Sequence, residues 1–231
     1  MKNMVIASTS TLYGGQYLGY LLPVLSHFFK SVDEILFIPY ARPGGISFEE
    51  YTSKAQEAFS KIGKQVKGIQ EFEEPKKAIA HAAGIFTGGG NTFLLVKTLH
   101  DLDLMEVLSD RIKSGATYLG TSAGSNITGP TMQTTNDMPI VYPSSFNTLN
   151  SIPYQINPHY LDPDPSSKHQ GETRETRIKE YHTLNKLPVI GLREGSWLEV
   201  TGEKIVLKGD CSARLFRKDE VPVEIEPGTY L

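Results

Sequence analysis

Short apolar runs alternate with longer amphipathic runs through the first two-thirds of the chain, and this alternation constrains the fold more than any other feature. Each short run is bounded by Gly, Pro or Ser, which is typical of the buried strands of a parallel sheet. We predict strands at residues 4–8, 35–39, 65–69, 84–87 and 117–120, and helices at 16–30, 48–62 and 104–113. Pro23 is expected to bend the first helix or to reset its start. The alternation predicts an α/β fold, with helices on both faces of a mostly parallel sheet.

The last quarter of the chain has a different pattern. Strand-like segments separated by glycine-containing turns follow one another at 189–192, 196–200, 204–208 and 214–216. They predict antiparallel hairpins that close one edge of the sheet. Before them, residues 157–170 contain three prolines and few apolar residues, which predicts a surface loop, and 172–184 predicts a polar helix. No segment has the composition of a linker, so we predict one domain, residues 1–231.

Composition excludes several classes of protein. Lys and Arg number 23 and Asp and Glu number 26, and the net charge of −3 gives no electrostatic footprint for nucleic acid or an anionic membrane. Cys211 is the only cysteine, which excludes an intrachain disulfide and a cysteine-based zinc site. No apolar run approaches the ~20 residues of a membrane span, and the N-terminal segment is more typical of a buried strand than of a signal peptide. We therefore expect a cytosolic protein.

The sharpest local motif is the pentapeptide GTSAG at 120–124, which follows a predicted strand and precedes a segment able to open a helix. This is the G-x-S-x-G pattern in the context that a nucleophile elbow requires. Such a turn presents the Ser122 hydroxyl at the carboxyl end of the sheet, near unpaired N–H donors of the following helix. The alternative is a glycine-rich strand–helix turn without a nucleophile. We favour the nucleophile.

A second glycine cluster, GGGNT at 88–92, also lies between a predicted strand and a helix. It lacks the lysine of a Walker A loop and does not complete G-x-G-x-x-G. It remains open whether the cluster cradles phosphate, forms only a tight turn, or supplies backbone N–H groups to an oxyanion hole beside Ser122. The third interpretation fits two neighbouring strands of one parallel sheet, and it assigns Gly89, Gly90, Asn91 and Ala123 to this part of the site.

A serine hydroxyl needs a base, and the chain offers His27, His81, His100, His159, His169 and His182. His159 is favoured because it follows a strand-like segment and a proline-stiffened turn, whereas His169 is expected to be exposed in the loop. The base needs a carboxylate to fix its tautomer. Asp137 and Glu194 both lie in turn-rich segments, and the residues alone do not separate them. His159, Asp162 and Asp164 also suit a divalent ion, but the flanking prolines favour a polar loop, and we predict no metal site and no cofactor.

Seven segments together resemble the peptidase E (α-aspartyl dipeptidase) family of serine peptidases. They are FIPYA at 37–41, GGGNTF at 88–93, GTSAGSN at 120–126, TTNDMPIV at 134–141, QINPHY at 155–160, GETRETR at 171–177 and GLREGSW at 191–197. They occur in the family's order along nearly the whole chain. Thr121 and Arg193 depart from the residues found there in some members, and both flank site residues.

The resemblance implies a three-layer α/β/α sandwich similar to class I glutamine amidotransferases. It implies hydrolysis of dipeptides, and some tripeptides, that carry an N-terminal L-aspartate. Ser122 and His159 match the family's nucleophile and base, and both Asp137 and Glu194 match candidates for the third residue. We favour Glu194 as the group that orients His159, and assign to Asp137 the recognition of the substrate's free amine. The backbone N–H groups of Gly90 and Ala123 are expected to hold the oxyanion.

An aspartyl substrate also requires a cation for its side-chain carboxylate, because burial of an unpaired charge is prohibitive. Arginine suits this best, since its planar fork binds a carboxylate through two hydrogen bonds. Arg174 in GETRETR is our choice and Arg177 the reserve. The alternative is that Arg174 only pairs with Glu172 or Glu175 on a solvated helix.

Two other functions stay open from the sequence. One is a cyanophycinase-like serine peptidase that acts on β-aspartyl links. The other is a binding protein with an inactive elbow, in which residues 88–91 hold a phosphorylated ligand. The expected partners are small peptides with an N-terminal Asp, with no nucleic acid and no membrane, and the sequence does not distinguish a monomer from a homodimer.

Overall fold

The computed structural model describes residues 1–164, 166 and 171–231. Its strands, in chain order, are β1 (Asn3–Ala7), β2 (Glu34–Ile38), β3 (Gln65–Gly68), β4 (Gly84–Thr87), β5 (Thr117–Thr121), β6 (Gln155–Pro158), β7 (Val189–Leu192), β8 (Ser196–Thr201), β9 (Lys204–Gly209), β10 (Ala213–Phe216) and β11 (Val223–Ile225). Its α-helices are α1 (Leu22–Phe28), α2 (Phe48–Ser60), α3 (Pro75–His81), α4 (Thr92–Asp101), α5 (Met105–Ser114), α6 (Ala123–Asn126) and α7 (Arg174–Leu184), and a short 3₁₀ helix spans Ile69–Glu71.

The large sheet has the strand order β3-β2-β4-β5-β1-β8-β9. Its first five strands are mutually parallel, whereas β8 and β9 run antiparallel to their neighbours. The predicted mostly parallel sheet is confirmed, and so is a C-terminal hairpin at its edge. Because β4 and β5 are adjacent, the two glycine loops that follow them lie side by side.

A smaller sheet has the order β11-β10-β7-β6, in which β6 and β7 are parallel and the other pairs antiparallel. The prediction that all C-terminal strands form hairpins at one edge is therefore wrong for β7 and β10. The chain leaves this sheet between β7 and β8 through a turn in which Gly195 has a φ of +91°, so two consecutive strands belong to different sheets. The short strand β11 was not predicted, because its three residues include a glutamate and lie among other charged residues.

The helices begin and end where local chemistry requires. Pro23 occupies the first turn of α1, so the helix begins at Leu22 rather than at residue 16. In α2, Ser47 and Glu50 form a reciprocal capping box. The left-handed Gly115 ends α5. The helix α3 was not predicted, since only seven residues form it and three of them are basic.

Alternate residues of the central strands face two different apolar clusters. Met4 and Ile6 of β1 belong to the cluster that contains residues of α4 and α5, whereas Val5 and Ala7 belong to the cluster that contains residues of α1 and α2. The same alternation holds in β2 and β5. Both faces of the sheet are covered by helices, which confirms the three-layer α/β/α architecture.

The predicted loop at 157–170 is described at residues 157–164 and 166. His169, predicted to be exposed in it, lies outside the described residues. Within the described part of the chain, no helix combines the length and the apolar character needed to cross a membrane.

Candidate active site

Ser122 lies between the last residue of β5 and the first residue of α6. Its φ of 53° and ψ of −111° are strained values for a residue with a side chain, at a cost of order 1–3 kcal/mol. The flanking glycines explain how the turn closes. A Cβ atom on Gly120 would come within 2.4 Å of the Gly124 carbonyl oxygen, and one on Gly124 within 2.2 Å of the Thr87 carbonyl oxygen. The G-x-S-x-G spacing therefore follows from backbone packing at this point.

Ser122, His159 and Glu194 form a continuous hydrogen-bonded chain. The Ser122 Oγ atom lies 2.8 Å from Nε2 of His159, and Nδ1 of His159 lies 2.6 Å from Oε1 of Glu194. The three residues follow the carboxyl ends of β5, β6 and β7. Because the carboxylate can only accept, Nδ1 carries the ring proton and Nε2 of the neutral ring accepts from the serine hydroxyl. This is the arrangement of nucleophile, base and orienting carboxylate.

The backbone of His159 is held by contacts that the sequence did not reveal. Its φ of 53° is again in the left-handed region. The buried Ser8 hydroxyl accepts from the His159 N–H at 2.9 Å and donates to the Leu192 carbonyl at 2.7 Å. Asn136 donates to the Pro158 carbonyl at 2.6 Å. The only sequence signal for Ser8 is a small hydroxyl residue directly after a buried strand.

Arg193, one of the two departures from the family pattern, joins the segment after His159 to the small sheet. Its guanidinium donates two hydrogen bonds of 2.8 Å to Asp162 and bonds of 2.8 and 3.1 Å to Glu224. These contacts lower the pKa of both carboxyl groups and raise the pKa of Arg193. Because Arg193 precedes Glu194, the ion pairs fix the turn on which Glu194 lies.

These ion pairs also bear on the alternative that His159, Asp162 and Asp164 bind a divalent ion. Asp162 is engaged by Arg193, and the Asp164 carboxylate accepts from the backbone N–H and the hydroxyl of Ser166. Across residues 1–164, 166 and 171–231, no cluster of His, Cys, Asp or Glu has an arrangement that suits a metal ion.

Gly89 and Gly90 bring bare backbone beside the serine. A Cβ atom on Gly89 would lie 3.0 Å from the Ser122 Cβ, which is a tight contact, and 3.5 Å from its Oγ, so glycine keeps this side of the serine open. Gly90 has a φ of +145°, and a Cβ there would overlap the Ala41 carbonyl oxygen at 2.2 Å. Ala123 is the first residue of α6, and a helix leaves its first N–H groups without an intrahelical partner. These backbone groups are suitably placed for a developing negative charge.

Asn91 uses its side chain structurally. Its carbonyl oxygen caps α4 by accepting from the Leu94 N–H at 3.0 Å, and its amide donates to the Met138 carbonyl at 2.9 Å. The structure thus places the Asn91 side chain at the start of the helix, with its amide tied to the segment that carries Asp137.

Asp137 lies at the N-terminus of α4. Its Oδ2 accepts from the Thr92 N–H at 2.7 Å, the Thr92 hydroxyl at 2.6 Å and the Thr135 hydroxyl at 3.1 Å. The carboxylate that contacts His159 is that of Glu194. Of the two candidates that the sequence left open, the structure brings only Glu194 to the histidine.

Arg174 is the first residue of α7 and is partly buried. Each of the two glutamates that could pair with Arg174 on the helix contacts another cation. Glu172 lies 3.7 Å from Arg177, and Glu175 lies 2.7 Å from Lys179. Burial lowers the pKa of the Arg174 guanidinium, and the neighbouring charge of Arg177 lowers it further, whereas Asp137 acts in the opposite sense. The attraction of a carboxylate brought to Arg174 would offset both unfavourable effects.

A cavity of about 800 Å³ lies at the other end of the strands, near Glu34, Glu71 and Lys77. The serine, by contrast, lies at the carboxyl edge, where Oγ, Nε2 and the glycine loop converge. Chemistry rather than cavity size therefore identifies the site.

Comparison with known proteins agrees with this geometry. The sequence matches the model of "Peptidase family S51" over residues 4–208. It is 44% identical over 229 residues to "Peptidase E" of Streptomyces coelicolor, covering 99% of this chain and 93% of that protein. It is 40% identical to a Drosophila melanogaster protein named "Probable alpha-aspartyl dipeptidase", covering 98% of this chain and 94% of that one.

Solved structures show the same fold. The crystal structure of a peptidase from an acI-B1 Actinobacterium superposes with a TM-score of 0.73 at 16% sequence identity, covering all of this chain and 96% of that one. The family match and the full-length relatives settle the classification: this chain belongs to peptidase family S51.

Proposed function

We propose that this protein is a serine exopeptidase that hydrolyses dipeptides, and some tripeptides, with an N-terminal L-aspartate through an acyl-enzyme intermediate. The observation that carries the proposal is the chain Ser122–His159–Glu194 on a strained elbow, with hydrogen-bond distances of 2.8 and 2.6 Å. Membership of a serine peptidase family and the name of the Drosophila relative support the reaction and the substrate.

The proposed reaction follows from the positions of the groups. His159 Nε2 takes the hydroxyl proton as Ser122 Oγ bonds to the scissile carbonyl carbon, and Glu194 stabilises the imidazolium. The N–H groups of Gly90 and Ala123 stabilise the tetrahedral oxyanion. His159 then gives its proton to the leaving amine as the peptide bond breaks. Water attacks the acyl-enzyme by the same route, which releases aspartate and restores the serine.

Arg174 and Asp137 are proposed to recognise the aspartyl residue. Arg174 binds the side-chain carboxylate, and the charge of Asp137 attracts the free ammonium. Because Asp137 uses Oδ2 for the contacts at α4, its other oxygen is the one assigned to the ammonium. An aspartyl residue bound in this way places its own carbonyl carbon, rather than a later one, at the serine.

The alternative of a phosphate-binding loop at residues 88–91 is disfavoured by Asp137. The N-terminus of α4 would be the anion-binding element of such a loop, and a carboxylate already accepts hydrogen bonds from it. A phosphate there would meet a like charge.

Labelling and a substrate pair test the proposal. A fluorophosphonate probe should label the protein in a one-to-one ratio at Ser122, and a protein that resists labelling is not a serine peptidase. Comparison of α-Asp-Leu with β-Asp-Leu then separates the α-aspartyl dipeptidase from a cyanophycinase-like β-aspartyl peptidase. We expect turnover of the α-linked dipeptide.

The proposal also covers the domain organisation and the location of the enzyme. One hydrophobic cluster contains residues of both sheets, such as Met4, Ile156 and Ala213, which supports treating residues 1–231 as one peptidase domain. The single cysteine supports a cytosolic site of action.

A further inference from the structure

A second arginine, Arg42, lies beside the glycine loop that adjoins the serine. Arg42 follows Ala41, whose carbonyl accepts from the Asn91 N–H at 2.7 Å, so its backbone adjoins the glycine loop. Its guanidinium carbon lies 4.6 Å from the centre of the Tyr51 ring. The Tyr51 hydroxyl donates to the Gly89 carbonyl at 3.3 Å, and Gly89 packs against Ser122. One aromatic ring therefore separates the Arg42 guanidinium from the glycine loop at the serine.

Arg42 and Arg174 differ from the other arginines of the chain in their partners. Arginines 177, 193, 214 and 217 each lie within 4 Å of a carboxylate, and Arg111 donates to the Ala82 carbonyl. Among the described residues, neither Arg42 nor Arg174 has a carboxylate partner. The Nε atom of Arg42 is buried and, within the same residues, has no hydrogen-bond acceptor. A buried donor without an acceptor is costly unless a ligand satisfies it.

The two arginines belong to separate segments of the chain around the nucleophile. Tyr51, on which Arg42 stacks, belongs to the apolar cluster of α1 and α2. Arg174 is the first residue of α7, in a different part of the chain, and it is near enough to Asp137 to be affected by its charge. The proposed substrate carries two carboxylates on opposite sides of the scissile bond. One is the aspartyl side chain, and the other is the C-terminal carboxylate of the leaving residue.

We infer that Arg42 binds the C-terminal carboxylate of the dipeptide and so selects substrates by length. The inference rests on the proposed function and extends it to the leaving residue. In a dipeptide this carboxylate belongs to the residue next to the scissile bond, whereas in a tripeptide it lies one residue further away, ~3.8 Å between Cα atoms. Stacking on Tyr51 holds the guanidinium in place, which reduces the entropy lost when the carboxylate binds.

The test compares Asp-Leu with Asp-leucinamide, which lacks only the terminal charge. We expect wild type to favour Asp-Leu by ~10-fold in kcat/KM, mostly through KM, as for one charge-assisted hydrogen-bonded pair at a partly exposed site. Arg42→Met keeps the length of the side chain and should remove this preference, so that Asp-Leu falls to the rate of the amide while the amide is unchanged. Arg42→Lys should restore part of it, since an ammonium keeps the charge without the planar fork.

Lys54 provides a matched control. It is exposed and lies 5.7 Å from the ring centre of Tyr17, a ring that packs against Tyr51, so Lys54→Met removes a nearby positive charge without touching the proposed contact. It should leave the preference intact. Equal rates of wild type on the two substrates, or equal losses on both in Arg42→Met, would overturn the inference while leaving the proposed function in place. If wild type cleaves neither substrate, the proposed function fails first and the inference falls with it.

Discussion

The two halves of the candidate site are built in different ways. Ser122 and the Gly88–Asn91 loop are held by the backbone of two neighbouring parallel strands, where added Cβ atoms would overlap. His159 and Glu194 follow strands of the small sheet and are held by side chains, through Ser8, Asn136 and Arg193. The first half therefore depends on the absence of side chains and the second on their presence. Substitutions should accordingly act by different routes in the two halves.

Ser122→Ala should have the largest effect on activity. It removes the covalent route but leaves the elbow glycines in place, so the fold should persist while Asp-Leu hydrolysis falls by at least ~10⁴. Single-turnover and steady-state assays measure the loss, and circular dichroism and the thermal midpoint check the fold. If the variant kept a tenth of the wild-type kcat, Ser122 would not be the nucleophile.

Glu194→Gln and Asp137→Asn form a matched pair of isosteric changes, one in each half. Glu194→Gln should lower kcat by ~10²–10⁴ with KM nearly unchanged, because the amide no longer fixes the tautomer or stabilises the imidazolium. Asp137→Asn should instead raise KM, through loss of the charge that attracts the substrate ammonium. If Asp137→Asn lowered kcat alone and Glu194→Gln had no effect, the two carboxylates would have the reverse roles.

Arg174→Ala tests the recognition of the substrate's side-chain carboxylate. It should lower kcat/KM for Asp-Leu by ~2–5 kcal/mol, the range for truncating one member of a desolvated charge pair. Asn-Leu and Ala-Leu, which lack the side-chain charge, should be poor substrates of wild type and nearly unaffected by the change. Arg174→Lys should recover part of the loss. Equal losses for Asp-Leu and Ala-Leu would instead show that Arg174 supports the fold, and Arg177→Ala provides the comparison on the same helix.

Ser8→Ala should have a smaller effect that is specific to the rate of the chemical step. It leaves the His159 N–H without its acceptor, at a cost of ~1–3 kcal/mol, and frees a backbone held in the left-handed region. We expect kcat to fall about tenfold with KM unchanged, and Ser8→Thr, which keeps the hydroxyl, to restore most of it. Thr9→Ala removes a neighbouring hydroxyl that bonds within its own loop and is the control. A loss of thermal stability with unchanged kcat would exclude a positioning role for Ser8.

The same difference between the halves explains what the sequence could predict. The elbow is a short continuous motif, and its G-x-S-x-G pattern itself indicates the turn. The overlap at Gly120 is with Gly124 of the same five residues, and the overlap at Gly124 is with Thr87 of the neighbouring strand. The parallel strands were predictable for a similar reason, because burial on both faces makes each of them a continuous apolar run.

Contacts between distant segments could not be predicted in this way. Ser8 and His159 are 151 positions apart, and no periodicity links them. Glu194 and Asp137 occupy similar turns, and only the pairing of β6 with β7 brings Glu194 to His159. The small sheet was missed for the same reason, since its parallel pair joins strands separated by a helix and a long loop.

Arg193→Met should have the smallest effect, a loss of stability. The dependence of this loss on pH should show whether it comes from the ion pairs. Arg193 holds the pKa values of Asp162 and Glu224 below their ordinary range, so the pairs stabilise the fold at neutral pH and lose this contribution as the pH falls through those lowered pKa values. The two carboxylate side chains are 48% and 42% exposed, so solvent screening limits their joint contribution to about 1 kcal/mol.

The difference in thermal midpoint between wild type and Arg193→Met should therefore be largest near pH 7. It should shrink as the pH falls below the ordinary pKa values of the two carboxyl groups towards their lowered ones. Arg214 lies 3.5 Å from Asp162 and 3.7 Å from Glu224, so a residual pH dependence should persist in the variant. A midpoint difference that stays constant from pH 7 to pH 3 would attribute the loss to packing, because the Arg193 guanidinium also lies 5.5 Å from the centre of the Tyr160 ring. In that case the second half of the site would resemble the first, held by shape rather than by charge.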